Sequence, residues 1–281
     1  MDIIHRVTFR SHHHQNIEET LEKMGIPYML SVRNDGNHVV SAAVYESNPH
    51  WPEIKNVLGQ KYFEGHFRFN TVFSEEEIRA AEWSRLIVRV EYGYPQPENQ
   101  WGNGQALNQA GYCSRCGIFS RQISPYFMKK EPKLKKWDFF MMYWVPPIFA
   151  KNHVFEAFAR SHLRDYERQE VLLYRTRQPA EHVAQLVTPY TANPGYLGKQ
   201  ASRVIQCEEC GQTKYLQGTE KNMMQVRRDA FNKEFDFLES HEWFGTEGRY
   251  AFKELFVSNR VAQIILDNKF KGLQLKVVEL V

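Results

Sequence analysis

All four cysteines of this 281-residue chain fall in two short units, Cys113-Ser114-Arg115-Cys116-Gly117 and Cys207-Glu208-Glu209-Cys210-Gly211. A Cys-x-x-Cys turn presents two thiolates to one tetrahedral ion. A glycine after the second cysteine takes positive φ readily and lets backbone N–H groups face the sulfurs. The two units together read as one closed four-thiolate site. A compact zinc ribbon separates its knuckles by about 15–20 residues, whereas about ninety intervene here. Segment 118–206 must therefore carry structure of its own. A structural zinc contributes about 10–16 kcal/mol of apparent binding free energy to folding in small finger peptides. Four protein thiolates leave no position for water, which suits a clasp and not a catalyst. Two local disulfides, redox dithiols or an iron–sulfur cluster are the other uses of such cysteines.

With 42% hydrophobic and 14% aromatic residues, the chain can bury a large core as two domains, or as one with a substantial insertion. A formal charge of +3 is only mildly basic, short of a dedicated nucleic-acid binder. His5 and Arg6 interrupt the apolar residues of the start, so a signal-peptide core is not expected. The richest apolar stretch, 139–150, is too short for a membrane span and contains Pro146-Pro147. Cysteines spaced for metal suit a reducing cytoplasm, and no membrane partner is expected.

Along the chain, residues 3–10 alternate as a strand, and Ile17, Leu21 and Met24 recur at helical spacing before Gly25 and Pro27. Residues 28–33 and 38–45 flank Asn34-Asp35-Gly36-Asn37, a hairpin turn signal. A helix over 51–58 and a strand over 66–73 complete the order strand, helix, strand, strand, helix, strand, which is the ferredoxin-like pattern. Ser74 with Glu77 forms a capping box for a helix reaching about Trp83, and a strand is expected over 85–92. Between the knuckles lie the basic run 129–136, the apolar stretch 139–144, a helix over 154–166 and a short strand over 171–174. Beyond them, 213–217 can complete a ribbon hairpin. The tail reads as a strand over 251–257, Ser258 as N-cap of a helix, Gly272, and a last strand over 273–280. Residues 223–237 have mixed spacing and no assignment.

The two Cys-x-x-Cys-Gly units, at Cys113, Cys116, Gly117, Cys207, Cys210 and Gly211, resemble those of the bacterial double-CXXCG motif proteins. The ending Glu242-Trp243-Phe244-Gly245, Phe256-Val257-Ser258, the Val261 helix and Lys271-Gly272-Leu273 is similar to the C-terminal segment of that family, and to immunity-like families of bacterial polymorphic toxin systems. The resemblance covers roughly the last two-thirds of the chain. It implies an accessory or interaction role, such as toxin neutralisation, without catalytic apparatus.

Other motifs fall away. His12-His13-His14 is a solvated turn, because adjacent side chains at a strand end diverge. His241-Glu242 lacks the second histidine of a zinc protease, since position 245 is glycine. His153 and His162 are too far apart on one helix to share a ligand, and Gly102-Asn103-Gly104 carries no phosphate-loop remainder. The sequence thus predicts an α+β protein. A ferredoxin-like unit with an appended helix and strand spans 1–92; a four-cysteine zinc-ribbon domain spans 93–281, with insertion 118–206, expected to be helical, and a C-terminal strand-helix-strand. The expected cofactor is a structural Zn2+ on Cys113, Cys116, Cys207 and Cys210. The expected function is non-enzymatic binding of a protein partner, such as a toxin held by occlusion. Arg115, Arg121, Lys129, Lys130, Lys133, Lys135, Lys136 and Trp137 would supply the contact surface. Nucleic acid is the alternative partner, tracked by lysines 129–136 with aromatic side chains interleaved.

Overall fold

The computed structural model describes residues 1–10, 17–32, 38–58, 66–98, 109–119, 121–143, 145–199, 201–217 and 223–281. The histidine run 12–14, the turn 34–37, Gly102-Asn103-Gly104 and Trp144 lie outside the described residues. The chain is an α+β protein, mostly sheet, in two units: Met1–Ser74, and Glu75–Gly218 with Met223–Val281. Among the described residues no helix is long and apolar enough to cross a membrane.

The first unit runs β1 (Asp2–Arg10), α1 (Ile17–Lys23), β2 (Tyr28–Val32), β3 (His38–Tyr45), α2 (Trp51–Leu58) and β4 (His66–Val72). Its sheet has the order β2-β3-β1-β4 with every neighbour antiparallel. The period-2 alternation puts Val7, Val40, Ala42 and Val44 inward, where Ile17 and Leu21 of α1 and Ile54 of α2 cover them. His5 is buried on this side, stacked on Trp51 with ring centroids 3.8 Å apart and Nε2 2.6 Å from Glu46 Oε1.

The second unit opens with α3 (Glu75–Ala80) and β5 (Trp83–Val88). Helix α3 is shorter than the expected helix to Trp83, because Trp83 already pairs with Ser258. Grouped by sequence with residues 1–92, this helix and strand pack into the second unit. Strand β5 is the middle strand of a five-stranded sheet, order β16-β21-β5-β20-β17, built from β16 (Met224–Val226), β17 (Phe237–Glu239), β20 (Leu255–Ser258) and β21 (Leu273–Leu280). Between β20 and β21, α5 (Asn259–Asp267) is capped as expected: Val261 N–H donates to Ser258 Oγ at 3.4 Å. The unassigned stretch 223–237 supplies β16 and a single 3-10 turn, Arg228–Ala230, and leads into β17.

The segment between the knuckles, expected to be helical, holds more strand than helix. It contains β7 (Arg121–Gln122), β8 (Phe127–Met128), β9 (Phe139–Met141), β10 (Ile148–Lys151), α4 (Asn152–Arg160), β11 (Glu167–Gln169), β12 (Leu172–Leu173), β13 (Val183–Val187) and β14 (Ala201–Gln206). Strands β11-β13-β10-β9 form one sheet, and β8 pairs in parallel with β12. Tyr126, Phe140, Met142, Phe149, Val171 and Val183 make this segment's own core. Helix α4 stops at Arg160, six residues before the expected end; the chain turns at His162 (φ 51) and Asp165 (φ 67). The expected strand 251–257 is two strands, β19 (Ala251–Phe252) and β20, in different sheets. Strand β6 (Gln109–Ala110) pairs with β7, and β14-β15-β18-β19, with β15 (Thr213–Gln217) and β18 (Trp243–Gly245), is the last sheet.

Candidate metal centre

Each knuckle is the turn of an antiparallel hairpin. Strands β6 and β7 hold the first, with Ala110 opposite Arg121; β14 and β15 hold the second, with Gln206 opposite Thr213. Their internal bonding is the same. Cys113 N–H donates to Ile118 O and Cys207 N–H to Gln212 O, both at 2.8 Å; Gly117 N–H donates to Cys113 O at 2.9 Å and Gly211 N–H to Cys207 O at 2.8 Å. Gly117 and Gly211 have φ of +78° and +71°, the left-handed conformation that swings following N–H groups back onto the sulfurs.

The two turns meet face to face. The four sulfurs lie within 4.8 Å of one another, with Cys113 Sγ 3.8 Å from Cys207 Sγ and Cys116 Sγ 3.7 Å from Cys210 Sγ. Four thiolates bonded at about 2.3 Å to one tetrahedral ion sit about 3.8 Å apart, the spacing of the two cross-knuckle pairs, so these residues could hold a metal ion. All four are free thiols, and Cys113, Cys116 and Cys207 are buried with Ile118 and Ala251, while Trp243 packs alongside. The thiols are unequal. Backbone N–H groups of Cys210 and Glu209 bring Cys207 down to about 7, whereas burial pushes Cys116 up to about 12. A cation at the centre supplies the charge that deprotonates such a set.

The variable positions of the knuckles stitch them together from outside. Ser114 Oγ donates to Glu209 at 2.8 Å, and Arg115 reaches Glu208 at 2.7 Å. Arg115, grouped by sequence with the contact surface, thus also bridges the two knuckles. The pair is well exposed and contributes at most about 1 kcal/mol. Inside, Lys214 of β15 is 2% exposed, and its ammonium donates to Cys116 O at 2.8 Å, Gly248 O at 2.6 Å and Tyr250 O at 3.5 Å. Sequence reading passed over this residue. The signal was there: the strand period that buries Leu216 turns Lys214 to the same side.

The remaining basic residues divide into groups. Arg121 is exposed on β7. Lys129 and Lys130 follow β8 and are exposed, with Lys129 3.5 Å from Glu98. Lys133, Lys135 and Lys136 are exposed in a turn held by buried Leu134, and Lys136 lies 4.7 Å over the Trp137 ring. Glu131, the interruption in the run, accepts the Glu181 and His182 N–H groups and so anchors it. The parallel pairing of β8 with β12 adds what the linear sequence does not show. It brings Leu172 and Leu173 opposite Phe127 and Met128, so exposed Arg175 and Arg177 follow one strand as Lys129 and Lys130 follow the other, and the Arg177 guanidinium lies 4.5 Å from the Phe127 ring and 4.9 Å from that of Tyr174.

Two cavities among the described residues of this unit bear on the site's surroundings. One of about 140 Å3 is lined by Tyr92, Tyr94, Gln96, Met128 and Lys130 among others. The other, about 300 Å3, holds Asp236, Arg260, Glu82 and Lys233, whose charges meet one another: Lys233 is 3.1 Å from Glu82, and Arg260 is 3.5 Å from Asp236. Compared with known proteins, the chain matches no protein-family model, no curated protein and no solved structure.

Proposed function

We propose that this chain is a non-enzymatic binding protein in which a structural zinc ion clasps two hairpins and fixes the segment between them for contact with a macromolecular partner. The observation that carries the reading is the convergence of four sulfurs within 4.8 Å from cysteine pairs 94 residues apart. Four soft thiolates in a tetrahedral arrangement favour zinc among common divalent ions. Supporting a ferredoxin-like, zinc-ribbon reading are the order β2-β3-β1-β4 around two helices in the first unit, and knuckles placed on two hairpins in the second. Toxin occlusion, implied by the family resemblance, is the form this takes with a protein partner. Elemental analysis of the purified chain is expected to give one zinc per molecule, and cobalt substitution the visible bands of a tetrahedral cobalt–thiolate centre. A chain purified intact without stoichiometric metal, or with a melting temperature unmoved by chelation, sinks the proposal.

A second reading, nucleic-acid binding, is favoured by one observation: exposed Arg177 lies over the Phe127 and Tyr174 rings, with exposed Lys129 and Lys130 following Phe127 and Met128 along the chain. Cations there can follow phosphates while the rings take bases. Affinity for single-stranded DNA or RNA should then fall steeply with salt. Glutamate at Lys130, Lys133 and Arg175 together should weaken it at least about tenfold at low salt. No retardation at 50 mM salt removes this reading and leaves the first untouched.

A further inference from the structure

Lys214 presents a problem in charge. Its ammonium is buried, it donates to three backbone carbonyls, and among the described residues no carboxylate lies within salt-bridge reach of it. Carbonyls satisfy its N–H groups but do not neutralise it, and an uncompensated buried ammonium is costly. Burial disfavours its charged form, and the groups near it that can carry a compensating negative charge are the sulfurs of Cys116, Cys207 and Cys113. Four neutral thiols would leave the lysine without a counter-charge. Four thiolates around a divalent cation carry a formal charge of −2, and then a buried cation at this position stabilises the whole.

We infer that Lys214 is the internal counter-ion of the four-cysteine metal centre and ties its first knuckle to the 246–250 turn. This rests on the metal reading above. The position of the lysine suits both tasks. One of its acceptors is the carbonyl of the ligand Cys116, and the other two belong to the loop between β18 and β19. That loop lies hard against the knuckle: a Cβ on Gly117 would fall 1.8 Å from Arg249 O. Strand β15, which carries Lys214, begins three residues after Cys210, so one hairpin supplies two ligands and their compensating charge.

The consequence is a reversal of sign. With metal bound, Lys214 stabilises the chain by offsetting a centre of formal charge −2; without metal, that fixed anionic charge is gone and the buried ammonium, held by carbonyls alone, loses its main counter-charge. Lys214→Met keeps the length of the stem and removes the charge, and Lys214→Arg keeps the charge. The test uses the full chain loaded with zinc alone and measures transfer of zinc to a chromophoric chelator, alongside melting with and without metal. Wild type and Lys214→Arg are expected to release zinc at rates within about threefold of one another, and Lys214→Met about tenfold faster or more. Lys214→Met should also lower the melting temperature of the zinc form while leaving that of the metal-free form unchanged or raised. Release from Lys214→Met at the wild-type rate overturns the inference, as does equal destabilisation of both forms, which is what a merely structural lysine would give. If the metal-free chain does not fold, the release rates alone decide. Wild-type protein that takes up no zinc would instead strike at the metal reading itself.

Discussion

Gly117 and Gly211 occupy the same place in two like turns, yet their surroundings differ. Both have positive φ, but a side chain at Gly117 would collide with the Arg249 carbonyl, while nothing lies within 4 Å at Gly211. Gly211→Ala should therefore cost only backbone strain, about 1–2 kcal/mol. Gly117→Ala should cost clearly more, because the 246–250 loop must move off the knuckle. Parallel melting of the two variants checks the difference, and equal losses would contradict it. At this scale the sequence was informative where chemistry is local. The ligands, their spacing and the glycines after them are stated by the residues themselves. What it hid was pairing across distance: Arg115 joins the clasp through Glu208, and Lys214, whose inward side the strand period did signal, finds its acceptors at Cys116, Gly248 and Tyr250 far along the chain.

Strand β5 illustrates the same limit for elements. A strand was legible here, expected over 85–92 and found at Trp83–Val88, but not that β21 and β20 would flank it, since those strands come from the other end of the chain. Strands β10 and β13 were missed altogether. Each is short and mostly buried, and short buried runs carry no period. The element bounds of the first unit were legible nearly to the residue, helped by β3, which faces a core on one side only and so alternates. Within the five-stranded sheet, Arg85 of β5 donates to Glu254 at 2.5 Å, with both side chains 7% exposed. Glu254→Gln leaves Arg85 charged without a carboxylate at this contact, and should cost about 3–5 kcal/mol. Converting both to methionine should recover most of that loss. Chemical denaturation of the single and double variants measures it; a double variant as unstable as the single would show that shape and not charge governs the site.

For the whole molecule, the cysteines lie in one unit only. Chelation should therefore raise hydrogen exchange in the hairpins over 109–122 and 201–217, while β1, β3 and β4, closed over their own core, keep their protection. Loss of protection spread evenly over the chain would contradict this. The spacing of the clasp also sets an order of events during synthesis. At roughly 5–20 residues per second, Cys113 and Cys116 wait about 5–20 s for partners that follow 94 positions later. Arg85 waits longer, for a carboxylate 169 positions on. Through that interval the first thiol pair has no second pair to share an ion with, and the central strand of the largest sheet has bare edges. A nascent chain halted between Cys116 and Cys207 is left with both, so the newborn protein is open at two places that the finished one closes.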